Sequence, residues 1–189
     1  MTEFMLRSAR FLCAEALEKI VREGDRVIDA TMGNGHDTLK LCLLCGETGH
    51  VDAFDIQEQA VESTKKLLRE NGVLQRASLH LTGHEHMAEY VSEAVRAAVF
   101  NLGWLPGGDK SVTTHWPTTR QAVISALGLL ERYGVCIVCV YPGHEAGTEE
   151  LTEIRRFLSG LRPQEYNVLE QNFINAGPGS PVCFQIQKQ

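Results

Sequence analysis

The residues Val27-Ile28-Asp29-Ala30-Thr31-Met32-Gly33-Asn34-Gly35-His36-Asp37-Thr38 have the pattern of a buried strand, a glycine turn and the start of a helix. Gly33 and Gly35 allow the backbone to turn sharply and leave room for a ligand to approach it. Either Asn34 or Asp37 can cap the helix that follows. The start of that helix presents free N–H groups and a partial positive charge, which predicts a site for a polar or anionic group.

A second strand follows about one helix later, and an acid stands at its end. The segment is Val51-Asp52-Ala53-Phe54-Asp55-Ile56, in which Asp55 can accept hydrogen bonds from both hydroxyls of a ribose. The turn matches neither of two other nucleotide motifs, because Thr38 stands where a dinucleotide-binding turn has its third glycine and no Gly-Lys-Ser/Thr follows. Asp29 and Asp55 together favour a compact, positively charged nucleoside, for which S-adenosylmethionine is the obvious candidate.

Strand-like and helix-like segments alternate along most of the chain. Alternation predicts a mostly parallel sheet with helices on both faces. A helix is expected from Thr118 to Arg132 and a strand from Val135 to Tyr141. Residues 165–173 and 181–187 are both strand-like, which predicts a C-terminal antiparallel hairpin at the sheet edge. Because there is no linker or repeat, residues 1–189 are expected to form a single domain.

Several motifs together carry a resemblance to known methyltransferases. They are Asp29-Ala-Thr-Met-Gly-Asn-Gly-His36, Phe54-Asp-Ile56, Gly83-His84, Asn101-Leu-Gly-Trp-Leu-Pro106, Gly108-Asp-Lys110 and Thr118-Thr119. The chain resembles class I, Rossmann-like, S-adenosylmethionine-dependent methyltransferases and, more narrowly, the bacterial rRNA methylase family, whose members act on tRNA as 5-aminomethyl-2-thiouridine methyltransferases. The resemblance implies a seven-stranded sheet with its last strand reversed and S-adenosylmethionine as cofactor. It also implies N-methylation of the 5-aminomethyl group of a wobble (thio)uridine in tRNA.

The expected cofactor site combines the glycine turn with the ends of neighbouring strands. Its residues are Asp29, Thr31, Gly33, Asn34, Gly35, His36, Asp37, Thr38, Asp55, Ile56, Gly83, His84 and Asn101. Asp29 either orients the methionine amino group or caps the glycine turn. His84 stands where the superfamily commonly has an acid or an asparagine, so it either contacts the adenine or lies on the surface.

The segment Asn101-Leu102-Gly103-Trp104 is the expected catalytic segment. In amino-group methyltransferases this position holds an Asn or Asp, two prolines and an aromatic residue; here the asparagine and an aromatic are kept and both prolines are replaced. The resemblance implies that Asn101 and the Gly103 carbonyl accept hydrogen bonds from the target amine and that Trp104 stacks on the base. The alternatives are a turn-forming asparagine and a core tryptophan.

An irregular loop is expected over about residues 102–116, and its long hydrophilic part, residues 107–116, is expected to close over the substrate. The expected substrate-binding residues are Trp104, Asp109, Lys110, Thr118 and His144. Lys110 is available for a phosphate. Thr118 either binds an anion or caps a helix, and His144 either contacts RNA or lies in a turn.

Charge and composition limit the class of partner. A net charge of −6 is a mild argument against nucleic acid, although a local basic face can exist. Such a face would need to gather scattered cations, namely Arg7, Arg10, Lys110, Arg120, Arg155, Arg156 and Arg162. The absence of a membrane-spanning run or a signal-peptide core predicts a cytoplasmic protein, and the lack of a separate RNA-binding module makes a homodimer plausible.

The six cysteines are expected to be reduced and buried, with no metal site. Cys42 and Cys45 lie in a helical segment. Cys136 and Cys139 point to opposite faces of a strand, and Cys13 and Cys183 stand alone.

The sequence as a whole leaves four functions open. They are an RNA methyltransferase acting on tRNA; an rRNA or small-molecule amine methyltransferase; a non-catalytic cofactor-binding module; and, least favoured, a dehydrogenase.

Overall fold

A computed structural model describes residues 8–177 and 179–189, except the side chains of Ala9 and Arg10. The strands are β1 (Arg26–Asp29), β2 (His50–Asp55), β3 (Ala77–Leu81), β4 (Val95–Asn101), β5 (Leu130–Val140), β6 (Tyr166–Gln171) and β7 (Val182–Lys188). The helices are α1 (Ala9–Ile20), α2 (His36–Cys45), α3 (Glu58–Glu70), α4 (Met87–Tyr90), α5 (Trp116–Leu129) and α6 (Glu145–Ser159). No helix of the described residues is long and apolar enough to cross a membrane.

The strands form one sheet in the order β3-β2-β1-β4-β5-β7-β6. Strands β1 to β5 are parallel, and β7 runs antiparallel to both β5 and β6. The predicted Rossmann-like, seven-stranded sheet with a C-terminal antiparallel hairpin is therefore confirmed. Strand order reverses between β1 and β4, and in such sheets a ligand binds beyond the carboxyl ends of the strands at this point.

Both faces of the sheet are covered by helices. Leu17 of α1, Leu41 of α2 and Leu68 of α3 pack in one buried cluster, whereas Met87 of α4 and Ile154 of α6 pack in the cluster on the other face. The central strands are apolar on both sides because each face is buried, as in β5, where all residues from Val135 to Val140 are buried. The sequence predicts an amphipathic helix over residues 4–21, and the first apolar positions of its stripe, Phe4 and Leu6, lie outside the described residues.

The junction between α5 and β5 differs from the prediction. The helix ends at Leu129 instead of Arg132, and β5 begins directly at Leu130. Leu130 is 2% exposed and pairs with Val95, so the sheet already holds the chain three residues earlier than the helical pattern indicates.

Three cysteines meet between α1 and the sheet. The Sγ atom of Cys13 lies 2.7 Å from that of Cys183 and 2.9 Å from that of Cys139. The prediction that Cys13 and Cys183 stand alone is wrong, because Cys139 and Cys183 are cross-strand neighbours and α1 lies over them. All six cysteines are free thiols and buried, and burial raises the pKa of Cys42 to about 12 and that of Cys136 further.

Candidate active site

A cavity of about 640 Å³ lies at the carboxyl edge of the sheet, and the turn between β1 and α2 forms one of its walls. Gly35 has a φ of 82°, and a Cβ atom there would lie 2.9 Å from the Cα atom of Thr64, so only glycine fits. Gly35 is also the N-cap residue of α2, with no side-chain cap, so the prediction that Asn34 or Asp37 caps this helix is wrong. Asn34 instead donates to the Pro106 carbonyl in the loop that follows β4, and Asp37 accepts a hydrogen bond from Asn101 at the end of β4.

Asp55 ends β2 and lines the cavity. One carboxylate oxygen accepts the Gly33 N–H at 3.1 Å and the other accepts the Gln57 N–H at 2.9 Å. Partial burial raises the pKa of this carboxyl group, while the two backbone donors oppose that shift. Because each carboxylate oxygen has a second lone pair, Asp55 can still accept hydrogen bonds from a ligand.

Asp29 lies beneath the glycine turn and does not line the cavity. The side chain is 1% exposed, and it accepts hydrogen bonds from the Thr31 N–H at 3.2 Å and from the Thr38 hydroxyl at 2.6 Å. Burial, together with the nearby carboxylate of Asp37, raises the pKa of Asp29 to about 7. In this structure the Asp29 side chain stabilises the turn. A contact between this side chain and a cofactor stays a prediction.

Asn101 ends β4 with its side-chain amide held in one orientation. The Nδ2 group donates to Asp37 at 2.5 Å, while the hydroxyl of Tyr141 donates to Oδ1 at 3.4 Å. A carboxylate only accepts hydrogen bonds, so Asp37 fixes Oδ1 as the acceptor on the Tyr141 side of the cavity. The backbone N–H of Asn101 donates to the Thr31 hydroxyl at 2.7 Å, which ties the strand end to the glycine turn.

The loop after β4 folds back on itself as a short antiparallel pair. Trp104 and Thr113 form an isolated β-bridge. Next to it, the Gly103 N–H donates to the Thr114 hydroxyl at 2.9 Å, and the Thr114 N–H donates to the Gly103 carbonyl at 3.1 Å. The Gly103 carbonyl therefore keeps one lone pair for a substrate.

Two aromatic rings and one ammonium group lie together beside this loop. The rings of Trp104 and His144 have centroids 4.5 Å apart, and the Lys110 ammonium lies 5.4 Å from the Trp104 ring. Trp104 is half-buried and lines the cavity, so it is not a core aromatic. His144 also caps α6, because its Nδ1 atom accepts the Gly147 N–H at 3.2 Å.

The surroundings of His84 and Thr118 decide between the alternatives that the sequence left open for each. His84 is 8% exposed and lines the cavity, so it is not a surface histidine; burial lowers its pKa and keeps the ring neutral. Thr118 neither caps nor begins α5, because the N-cap is His115 and the Thr118 hydroxyl donates back to the His115 carbonyl at 3.0 Å.

The structure brings most of the predicted site residues to one cavity. Those that line it are Thr31, Gly33, Asn34, His36, Asp37, Asp55, Ile56, Gly83, His84, Asn101, Gly103, Trp104, Thr118 and His144. Those that do not are Asp29, Gly35, Thr38, Asp109 and Lys110. Asp109 accepts the Ser111 N–H at 2.8 Å within its own loop, and this bond lowers its pKa. The polar lining residues that the sequence did not indicate are Gln57, Glu85, Thr113, Thr114, His115 and Tyr141.

The surface cations do not all join one basic face. Arg155 pairs with Glu170 at 2.6 Å, Arg156 pairs with Glu153 at 2.6 Å, and Arg162 pairs with Glu165. Arg7 and the side chain of Arg10 lie outside the described residues. Lys110 lies against the Trp104 ring of the site, with its ammonium group 5.4 Å from the ring centroid.

Comparison with known proteins agrees with this geometry. The family model described as "Putative rRNA methylase" matches residues 51–187. A chloroplastic tRNA (mnm(5)s(2)U34)-methyltransferase of Arabidopsis thaliana is 40% identical over 91% of this chain, and the match spans 66% of that relative's length. A crystal structure of a "putative rRNA-methylase" from Clostridium thermocellum superposes with a TM-score of 0.97 at 37% identity, over 98% of this chain and 100% of the other. A "putative methyltransferase" from Streptococcus mutans, in complex with SAH, gives a TM-score of 0.90 at 34% identity, over 98% of this chain and 100% of the other.

Proposed function

The chain belongs to the family described as "Putative rRNA methylase", and from that premise we propose that it transfers a methyl group from S-adenosylmethionine to an amine on RNA. The favoured target is the 5-aminomethyl group of a wobble (thio)uridine in tRNA. The similarity to the Arabidopsis thaliana tRNA methyltransferase supports this substrate. The observation that carries the activity is the fixed amide of Asn101, whose Oδ1 acceptor lies at the cavity edge.

The cavity suits S-adenosylmethionine in shape and charge. Gly33 and Gly35 leave the turn without side chains, and Asp55 offers lone pairs at the end of β2 for a ribose. Ile56 is 61% exposed beside Asp55 and offers an apolar face for an adenine. The carboxylates of Asp37 and Asp55, which both line the cavity, make this wall electronegative and favour a cofactor with a net positive charge.

In this proposal the residues of the chain position the amine and exclude water. The bound cofactor supplies a methyl group on a sulfonium, which is already a good leaving group. Asn101 Oδ1 accepts an N–H of the neutral target amine, so that the nitrogen lone pair is directed at the methyl group. Trp104 stacks on the base, and Lys110 beside it offers a positive charge to a phosphate.

Two finer expectations accompany this proposal. A chain of this size with an overall negative charge offers little surface for tRNA, and we propose that a homodimer brings two copies of Lys110 to one tRNA. We also propose that the protein acts on tRNA in the cytoplasm. Light scattering of the purified chain, with and without tRNA, measures whether the homodimer forms.

The test is transfer of labelled methyl from S-adenosylmethionine to separated tRNA and rRNA from cells that lack this protein, followed by identification of the nucleoside by mass. Label in a wobble uridine of tRNA is the expected result. Label in rRNA alone would replace the substrate with rRNA. Cofactor binding with label in neither pool would favour a small amine substrate or a non-catalytic module.

A further inference from the structure

Glu150 is a buried carboxylate outside the wall of the cavity. It lies on α6, is 1% exposed and accepts two hydrogen bonds from other segments. One carboxylate oxygen accepts the Thr119 hydroxyl of α5 at 2.5 Å, and the other accepts the Thr114 hydroxyl at 2.7 Å. The side chain therefore joins α5 and α6 to the loop that follows β4.

The hydrogen bond to Thr114 continues to the backbone beside Asn101. The Thr114 hydroxyl, which donates to Glu150, also accepts the Gly103 N–H at 2.9 Å. Gly103 has a φ of 129°, a conformation that side chains rarely adopt, so this segment needs outside contacts to hold its shape. Gly103 stands between Asn101 and Trp104, the two residues that the proposed reaction uses to hold the amine and the base.

Glu150 is buried without a lysine or arginine partner among the described residues. Burial raises the pKa of its carboxyl group, and the hydrogen bonds from the two threonine hydroxyls oppose that shift, as does the nearby His115. Burial of a charged group is unfavourable unless the group is paired and hydrogen-bonded. A buried acid at such a place therefore points to a role other than stability of the fold.

We propose that Glu150 is a positioning residue that holds Gly103 and Trp104 in the geometry needed for methyl transfer, acting through the hydroxyl of Thr114. The inference rests on the proposed function for its kinetic consequence. Its structural consequence, the fixed loop, does not depend on which substrate is methylated.

The main experiment replaces Glu150 by Gln and measures turnover on tRNA and cofactor affinity separately. Gln offers one acceptor oxygen where Glu offers two, so one of the two threonine hydroxyls loses its acceptor. Misplacement of a positioning segment by about 1 Å can lower the rate about 100-fold. We expect kcat to fall about 10- to 100-fold, while the Kd for S-adenosylhomocysteine in calorimetry stays within about twofold.

The matched control is Glu149→Gln, because Glu149 is the exposed neighbour on the same helix. It should leave both values unchanged. A pair of variants at Thr114 separates positioning from mere folding: Thr114→Ser keeps the hydroxyl and should retain kcat, whereas Thr114→Val removes it and should match Glu150→Gln. Normal kcat in Glu150→Gln, or equal loss in the Ser and Val variants, would overturn the proposal.

Hydrogen exchange distinguishes a failure of this inference from a failure of the proposed function. The Gly103 and Thr114 amides should exchange at least about tenfold faster in Glu150→Gln than in wild type and in Glu149→Gln, at equal melting temperature. If wild type methylates no RNA but this difference is present, the proposed function fails and the positioning role stands. If both amides keep their protection in Glu150→Gln, Glu150 does not hold the loop.

Discussion

The two walls of the cavity are built in different ways. The wall formed by the glycine turn and Asp55 is held by backbone N–H groups, such as that of Gly33, which donates to the Asp55 carboxylate. The wall formed by the loop after β4 is held by side chains from distant segments, among them Tyr141 and Glu150. A cofactor that is common to many enzymes can be held by a local backbone motif, whereas the shape of a substrate loop depends on contacts that each fold supplies separately.

Asn101 joins the two walls. Its side chain donates to Asp37 at the start of α2, and its backbone N–H donates to Thr31 in the glycine turn. Asn34 reaches across in the other direction and donates to the Pro106 carbonyl at 3.2 Å. Substitutions on the first wall should therefore change cofactor affinity, and substitutions on the second should change turnover or substrate affinity.

The largest effect is expected from Asp55→Ala. This substitution removes the proposed acceptor of both ribose hydroxyls and also the acceptor of the Gly33 N–H. Hydrogen bonds to charged groups contribute about 1.5–3 kcal/mol each, so cofactor affinity should fall about 100-fold or more. Calorimetry with S-adenosylhomocysteine measures the loss. The control is Asp109→Ala, an exposed acid of the second wall, and equal affinities in the two variants would contradict the assignment of Asp55.

The next effect is expected from Asn101→Ala. The loss of one oriented acceptor should lower kcat about 10- to 100-fold, while the cofactor Kd changes less than about threefold. Single-turnover methyl transfer to tRNA, with cofactor affinity measured in parallel, separates the effect on turnover from the effect on cofactor binding. Undiminished turnover would remove Asn101 from the mechanism. A large loss of cofactor affinity would instead place Asn101 on the first wall.

The contrast between the walls also explains what the sequence allowed us to predict. The positions of Asp55 and Asn101 at the ends of strands followed from patterns within a few residues. The role of Asp37 as the partner of Asn101 did not, because the two residues are 64 positions apart. Glu150 gave no signal at all, since a glutamate in an amphipathic helix is normally a solvated residue.

The contact between Tyr141 and Asn101 could not be predicted either. The sequence predicts that a strand ends at Tyr141, but the contact spans 40 positions and depends on the pairing of β4 with β5. The cysteine cluster depends in the same way on the pairing of β5 with β7. Register and long-range pairing are properties of the folded sheet, and no local spacing in the chain encodes them.

A smaller effect is expected from Trp104→Ala. Stacking of a base on an aromatic side chain contributes about 1–3 kcal/mol, so KM for tRNA should rise about 5- to 100-fold. The Kd for S-adenosylhomocysteine should stay the same, since Trp104 belongs to the second wall. Trp104→Phe keeps an aromatic ring and should retain most of the affinity. Equal losses in Ala and Phe would indicate that the indole supports the loop and does not stack on a base.

The last prediction concerns the stability of the fold and leaves both ligand affinities aside: it is the pH dependence contributed by Asp29. The pKa of Asp29 is about 7 in the folded chain, against an ordinary value of 3.8 for the unfolded one, because burial disfavours the charged carboxylate. Between these values the folded chain holds more protons than the unfolded chain, so the free energy of unfolding falls as pH rises from about 4 to about 7 and then levels off. The slope from this group is at most about 1.4 kcal/mol per pH unit. The side chain in Asp29→Asn cannot ionise, so this variant should lack that slope. Urea unfolding of both proteins at pH 5, 6, 7 and 8 measures the difference, and parallel curves would show that Asp29 is already ionised at pH 5, stabilised by the Thr31 N–H and the Thr38 hydroxyl.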